Sequence, residues 1–202
     1  MNNFNYLTSE ISWCEPNFEH NQYIAEYWNT LSSFVISFIG VYGLFYRQNL
    51  KLLYFLMIPI GLTSALFHGT LSLYGQLLDE LSILVILTAS LYYYKAISLK
   101  IVVLNCLQMF LLFKYPIYNR LMLFCYGFAC FKILRDNRHK INKGTYKKGT
   151  YLFFFSVTCW LIDMFLCSYI GHIYLHAIWH IAIGLTAYYG IQCIEDFVSN
   201  VN

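Results

Sequence analysis

Seven apolar stretches, separated by short polar connections, dominate the hydrophobic pattern of this 202-residue chain. A bilayer core of about 30 Å is crossed by roughly 17 to 25 helical residues, and each stretch approaches that length. The pattern therefore predicts an all-α membrane protein, a bundle of seven transmembrane helices. The predicted spans cover residues 28–46, 52–72, 78–94, 98–114, 117–134, 150–170 and 174–194.

The fourth and fifth predicted spans are separated by a short and partly basic connection. Lys114, Pro116 and Arg120 fall in or beside it. Each of these two spans is long enough only if its basic flanks extend toward the membrane surface. A single shallow hairpin in this region would change the number of spans.

Basic residues are concentrated in alternate connections. With seven spans, the odd-numbered connections lie on one side of the membrane, and they hold 11 of the 13 Lys and Arg residues. These are Arg47, Lys51, Lys95, Lys100, Lys132, Arg135, Arg138, Lys140, Lys143, Lys147 and Lys148. By the positive-inside rule that side is cytoplasmic, which predicts a non-cytoplasmic amino terminus and a cytoplasmic carboxyl terminus.

Composition supports the membrane assignment and narrows the function. Hydrophobic residues make up 59% of the chain, charged residues 11%, and mean hydropathy is +0.53. Because the basic residues are sorted by connection, we expect no nucleic-acid partner.

Residues 1–22 have no signal-peptide pattern, so we expect the first span to direct insertion. The basic loop 135–148 is interpreted as setting topology or as attracting anionic lipid headgroups.

No linker or repeat divides the chain. We therefore expect one domain over residues 1–202, with residues 1–27 as an extramembrane amino-terminal segment. That segment contains four Glu residues and no basic residue.

Two histidines in the seventh span, His176 and His180, are four residues apart and share one face of the predicted helix. Polar groups within a membrane are costly unless they have a partner or a function. The spacing fits two ligands of one metal ion, and it also fits interhelical hydrogen bonding.

Polar residues of three other spans are predicted at the same depth, near the non-cytoplasmic side. Ser64 and His68 lie near the outer end of the second span, and Asp79 begins the third. Asp163 lies within about two turns of the outer end of the sixth span, where it could fix the orientation of an imidazole ring.

Three imidazoles with a fourth position open to water are typical of a catalytic zinc site, in which the pKa of the water falls to roughly 7. We therefore interpret His68, His176 and His180 as zinc ligands. Asp79 is the candidate general base, and Ser64 the candidate hydrogen-bond donor to the water or to an oxyanion.

Four separated motifs occur in order along the chain. They are Trp13-Cys14-Glu15 with Asn17; Ala25-Glu26-Tyr27-Trp28-Asn29-Thr30; Ser64 and His68 followed by Gln76-Leu77-Leu78-Asp79-Glu80-Leu81; and His176-Ala177-Ile178-Trp179-His180. Together they resemble the alkaline ceramidase family, within the wider group of seven-helix membrane hydrolases. The progestin and adiponectin receptor group has similar Ser, His and Asp residues, but its Asp lies farther from the first His.

The resemblance implies hydrolysis of the amide bond of ceramide to a sphingoid base and a fatty acid. It also implies the zinc ligands and the two catalytic residues given above, together with a calcium site in the amino-terminal segment. Glu15, Asn17 and Glu26 match calcium ligands, and Trp13 matches a backbone carbonyl ligand. Ser12 stands where the family has an acidic ligand, which weakens the expected calcium site. Without the resemblance, these acids would be interpreted as a solvated segment beside the membrane.

Cys14 and Cys167 are both predicted near the non-cytoplasmic side, where they could form a disulfide, and the resemblance implies the same pair.

Two alternative functions stay open. One is an amidase or esterase for another lipid, and the other is a seven-helix lipid-binding receptor with a structural or vestigial zinc site. In each case we expect an integral membrane protein, with an internal membrane such as the endoplasmic reticulum or Golgi as its location.

Overall fold

The computed structural model describes residues 5–47, 49–95, 97–103, 115–170 and 173–200. Over these residues the chain is helical and contains no β-strand. The helices are α1 (Tyr27–Tyr46), α2 (Lys51–Thr70), α3 (Leu73–Tyr93), α4 (Pro116–Asp136), α5 (Lys143–Phe165), α6 (Cys167–Ile170) and α7 (Leu175–Ser199), with a 3₁₀ turn at Arg138–Lys140.

Four of these helices, α1, α2, α3 and α7, are long and apolar enough to cross a membrane. Each overlaps a predicted span, although α3 begins at Leu73 rather than at residue 78 and α7 continues to Ser199 rather than ending at residue 194. The prediction of an α-helical membrane protein is confirmed at this level. Helices α4 and α5 occupy most of the fifth and sixth predicted spans. Of the fourth predicted span, 98–114, residues 104–114 lie outside the described residues.

The sixth predicted span, 150–170, differs from the observed helix at both ends. Helix α5 begins at Lys143, where the Asn142 side chain accepts hydrogen bonds from the N–H groups of Gly144 and Thr145 at 2.9 and 3.1 Å. It ends at Phe165, and a separate turn, α6, begins at Cys167. The apolar pattern missed the start of the helix because a side-chain cap extends it through polar residues.

Helices α1 and α2 approach closely because small residues lie at their interface, as is common for helices in membranes. A Cβ atom at Gly40 would lie 2.7 Å from the backbone oxygen of Tyr54, and one at Gly61 would lie 2.7 Å from the backbone oxygen of Ser33. This approach brings the hydroxyl groups of Ser33 and Ser64 to 3.2 Å.

A buried apolar core lies at the end of the bundle where α2 begins and α7 ends. Its members include Leu53, Tyr54, Met57, Ile194 and Phe197. At the same end, Arg47 follows α1 and forms an ion pair with Glu195 of α7 at 2.7 Å. The core and the ion pair hold this end of α2 and α7 together. The buried histidines lie at the other end of the same two helices.

The amino-terminal segment (residues 5–26) is tied to the end of α2. Backbone N–H groups of this segment donate to the carbonyl groups of residues 68–71 over distances of 2.8 to 3.1 Å. The donors are Leu7, Ser9, Ala25 and Glu26. The segment is therefore a structured cap over one end of the bundle, in which Glu15 and Glu26 are buried whereas Glu10 and Glu19 are exposed.

Candidate metal centre

Three buried histidines meet where α2 ends and α7 begins. His68 lies in the last turn of α2, and His176 and His180 lie in the first two turns of α7. Their side chains are 1%, 2% and 0% exposed, and one ligand atom from each lies within 4.8 Å of the others. Two nitrogens on one tetrahedral zinc are roughly 3.4 Å apart, so rings in this arrangement would move about 1 Å or less to share an ion.

Hydrogen bonds to their Nδ1 atoms orient two of the three rings. The Glu26 carboxylate lies 2.6 Å from Nδ1 of His68, and the Ser32 hydroxyl lies 2.8 Å from Nδ1 of His180. A hydrogen bond to one ring nitrogen fixes the tautomer and the orientation of the ring, so that the other nitrogen can bind a metal. Residues around the ligands of known metal sites act in this way. These contacts leave Nε2 of both rings directed to the shared space.

The third ring, His176, has an Nδ1 atom that is buried and has no hydrogen-bond partner within the described residues. A buried polar atom without a partner is costly, and a bound ion is one way to satisfy it. The Trp13 indole stacks on this ring, with 3.7 Å between ring centroids and 24° between planes. The donor set is thus chemically suited to a metal ion.

A carboxyl group and a hydroxyl group lie beside the histidines. Asp79 lies in the second turn of α3, is 8% exposed, interacts electrostatically with His68 and hydrogen-bonds to the Ser64 hydroxyl. Its Oδ1 atom has no hydrogen-bond partner among the residues described. The Ser64 hydroxyl lies 3.3 Å from Nε2 of His180. These two predicted catalytic residues therefore reach the same buried space as the histidines.

Asp163 of α5 supports the site through backbone groups. Its carboxylate accepts a hydrogen bond from the N–H of Cys14 at 3.2 Å and another from the N–H of His176. The predicted disulfide between Cys14 and Cys167 is present, with 5.1 Å between the Cα atoms. Asp163 thus positions the start of α7 and the amino-terminal segment through main-chain contacts.

The acidic residues proposed for calcium are arranged around the start of α1. The two oxygens of Glu15 accept hydrogen bonds from the N–H groups of Trp28 and Asn29 at 2.6 and 2.8 Å. Burial raises the pKa of Glu15, the two backbone hydrogen bonds lower it, and the nearby Glu26 carboxylate raises it. The chain has no Lys or Arg before Arg47, so no such side chain of this segment offsets the two carboxylates.

The remaining expected calcium ligands have different surroundings. Trp13 is half-buried, and its backbone N–H donates to the Glu26 carboxylate at 3.0 Å. Ser12 and Asn17 are exposed. Glu26 therefore contacts both the proposed calcium region and the zinc ligand His68. Both carboxylates, those of Glu15 and Glu26, already accept hydrogen bonds from backbone N–H groups.

Sequence reasoning missed several polar residues of the site. Glu26 was assigned only to calcium, and its contact with His68 joins segments that are distant in sequence. Asn29, Ser32 and Ser33 of α1 were not singled out. Their spacing at i, i+3 and i+4 places them on one helix face, and this stripe in a membrane span was the available signal.

The fold and the site together define a polytopic membrane protein with a buried metal-type histidine cluster and a carboxyl group beside it. Comparison with known proteins identifies the family. The Ceramidase family model matches residues 5–201, and the chain belongs to the ceramidase family.

Individual relatives agree with this assignment. The chain is 33% identical to alkaline ceramidase 1 of Mus musculus, over 93% of this chain and 80% of the relative. It is 33% identical to alkaline ceramidase of Drosophila melanogaster, over 90% and 74%. It is also 30% identical to alkaline ceramidase 1 of Homo sapiens, over 93% and 82%.

Proposed function

We propose that this chain is a ceramidase, a hydrolase that cleaves the amide bond of ceramide to a sphingoid base and a fatty acid. The observation that carries the proposal is the buried cluster of His68, His176 and His180 in a member of the ceramidase family. The similarity to alkaline ceramidases extends over 93% of the chain.

Zinc is the proposed metal, and the three imidazoles are its proposed ligands. Neutral imidazole nitrogens suit zinc, and three of them leave a position for water or substrate. Zinc in this site would supply Lewis acidity and a water molecule acidic enough to attack near neutral pH. The oriented rings of His68 and His180 and the unpartnered Nδ1 of His176 support this assignment.

Asp79 is the proposed general base and acid. Its carboxylate takes a proton from the attacking water as the oxygen bonds to the amide carbon. It then gives that proton to the leaving nitrogen when the carbon–nitrogen bond breaks, so the products are an amine and a carboxylic acid. The free Oδ1 atom of Asp79 is available for this transfer.

The proposed role of Ser64 is to donate a hydrogen bond to the negative charge that develops on the carbonyl oxygen. The Ser64 hydroxyl lies 3.3 Å from Nε2 of His180 and 3.2 Å from the Ser33 hydroxyl, which itself donates to the Asn29 carbonyl at 2.7 Å, so Ser64 is positioned beside the histidines. Glu26 accepts the Nδ1 hydrogen of His68 and so keeps Nε2 of that ring available for the metal.

The proposed topology has seven spans, with the amino-terminal segment on the non-cytoplasmic side. In this arrangement the two hydrocarbon chains of ceramide stay among the helices while the amide reaches the histidines near the interface. The sorted basic residues support this orientation. An internal membrane, such as the endoplasmic reticulum or Golgi, is the proposed location.

Calcium is proposed as a second ion beside the amino-terminal segment. Glu15 and Glu26 would supply carboxylate oxygens, Asn17 an amide oxygen and Trp13 a backbone carbonyl. The support is the pair of buried carboxylates that repel each other. Ser12 provides a hydroxyl in place of a carboxylate, so weak binding is expected.

A lipid panel tests the proposed function. The purified full chain, in mixed micelles, is incubated with ceramides, with a simple fatty-acid amide that lacks a sphingoid base, and with a fatty-acid ester. We expect release of sphingoid base from ceramide and at least tenfold slower cleavage of the other two. Faster cleavage of the amide or ester would indicate a different lipid hydrolase, and cleavage of none would favour a lipid-binding receptor.

A further inference from the structure

A basic cavity lies at the end of α5 that is remote from the histidines. It has a volume of about 310 Å³ and is lined by Arg138, His139, Lys143, Tyr146 and Lys147. The first two residues belong to the 3₁₀ turn, and the others belong to the first two turns of α5. Three permanently charged side chains therefore contribute to the lining, mostly through their apolar surface, and no carboxylate is among the lining residues.

These cations are not neutralised elsewhere. Arg138, Lys143 and Lys147 form no ion pair within the part of the chain that the structure describes. The nearby Asp136 pairs with Lys132 and Arg135 instead. The lining charge is thus available to an anionic ligand from outside the chain.

Two neighbouring basic residues face a different direction. The ammonium group of Lys140 lies 5.4 Å from the ring centre of Phe197, and that of Lys148 lies 5.7 Å from the ring centre of Tyr189. Both aromatic rings belong to α7. The basic residues of this region are therefore divided between contacts with the bundle and the cavity.

The connection that carries the cavity is held in one conformation. The N–H of Asn142 donates to the Asp196 carboxylate at 3.0 Å, the Asn200 side chain donates to the Lys140 carbonyl at 2.8 Å, and Ile141 is 5% exposed. A connection that only determined topology would need charge but no fixed geometry. The hydrogen bonds instead fix the backbone that carries these cations, which reduces the conformational entropy lost when an anion binds there.

The surface of α5 next to the cavity is apolar and exposed. Lys143, Lys147, Tyr151 and Phe155 follow one another at four-residue steps, a row that winds about 120° around the helix from first to last. Tyr151 is 75% exposed and Phe155 is 52% exposed. A phosphate held by the two lysines would thus have exposed aromatic side chains farther along the same helix, against which an acyl chain could lie.

The length of α5 indicates that the cavity, at one end of this helix, lies near a membrane interface. The 23 residues of α5 span roughly 34 Å at 1.5 Å per residue, close to the thickness of a bilayer core. Asp163 and the disulfide lie near the other end. We propose that the cavity binds the phosphate group of an anionic phospholipid, at the membrane face opposite the metal centre.

Native mass spectrometry of the full chain in detergent tests this proposal, with phosphatidic acid as the probe and phosphatidylcholine as the neutral-headgroup comparison. We expect one saturable phosphatidic acid per chain and at least tenfold weaker retention of phosphatidylcholine. Lys143→Gln with Lys147→Gln should weaken phosphatidic acid binding about 30-fold. Lys143→Arg with Lys147→Arg should retain it.

A matched control removes the same charge elsewhere. Lys51 and Lys100 are exposed and remote in sequence from the cavity, so Lys51→Gln with Lys100→Gln should change the affinity less than twofold. Equal losses in the two glutamine pairs would show diffuse attraction to surface charge and overturn the proposal. Displacement of the lipid by millimolar inorganic phosphate would overturn the assignment to a phospholipid, because the phosphate alone would then suffice.

Discussion

Glu26 joins the amino-terminal segment to the histidine cluster at the scale of single residues. One of its oxygens accepts from the Trp13 N–H, and the other lies 2.6 Å from His68 and 3.0 Å from the Asn29 amide nitrogen. The side chain is 0% exposed. A buried carboxylate is stable here because each oxygen has hydrogen-bond donors.

Replacing Glu26 with Gln keeps the size of the side chain and removes its charge. We expect zinc affinity to fall about 10- to 100-fold, since residues that hold metal ligands have effects of this size. Zinc dissociation constants, measured in calcium-free buffer by competition with a chelator, check this. Glu19→Gln is the control, because Glu19 is exposed and interacts with His20 and Tyr174, neither of which belongs to the histidine cluster. Equal affinities in the two variants would remove Glu26 from the metal site.

For Asp79→Asn, we expect retention of the metal and a loss of about 10²- to 10⁴-fold in kcat, because an amide cannot transfer the proton. Zinc content and ceramide turnover are measured on the same purified sample. Asp196→Asn, at the other end of α7, should leave both unchanged. If Asp79→Asn turned over at the wild-type rate, another group would have to move the proton.

The histidine cluster itself could be predicted from the sequence. His176 and His180 share a helix face by spacing, and the alternation of spans placed His68 and Asp79 at the same depth. The role of Glu26 could not be predicted in this way. It depends on how a non-helical segment lies across the end of α2, and helical periodicity contains no information about such a path.

At the scale of elements, the disulfide fixes the amino-terminal segment to α6. Cys14 also hydrogen-bonds to Asp163 through its N–H, and Trp13 beside it stacks on His176. The segment is therefore attached at α2, at α5 and at α6. The disulfide was predicted from the positions of the two cysteines and from the family resemblance. The attachments at α2 and α5 and the break at Leu166 were not predicted, because they depend on tertiary contacts.

Cys14→Ser removes the covalent attachment of the segment. We expect a loss of about 2 to 5 kcal/mol in unfolding free energy, which corresponds to a decrease in Tm of roughly 5 to 15 °C. Thermal unfolding under non-reducing conditions measures this change. Cys125→Ser alters a free, exposed cysteine and should leave Tm unchanged. An unaltered Tm in Cys14→Ser would mean that the disulfide does not stabilise the fold.

At the scale of the whole molecule, charge is sorted between the two ends of the bundle. The end with the histidines receives the acidic amino-terminal segment, whereas Arg47 and the basic 3₁₀ turn lie at the other end. This separation follows from the positions of the connections, and the proposed orientation in the membrane depends on it. The sequence pattern could not predict that the basic connection borders a cavity.

The proposed topology places the two termini on opposite sides of the membrane. Tags added before Met1 and after Asn202 should therefore differ in accessibility to protease in sealed vesicles, with only the carboxyl-terminal tag exposed to the cytoplasm. Detergent-permeabilised vesicles, in which both tags should be cleaved, are the control. Termini on the same side would show that the fourth and fifth spans were miscounted.

The central claim is that three histidines hold a zinc ion that is required for amide hydrolysis. The most direct measurement is elemental analysis of purified protein, combined with ceramide turnover of the same sample, for the wild type and for His180→Ala. We expect one zinc per active chain, and loss of zinc and turnover together in the variant. Active wild-type protein without stoichiometric zinc, or turnover in His180→Ala after its zinc is lost, would contradict the claim.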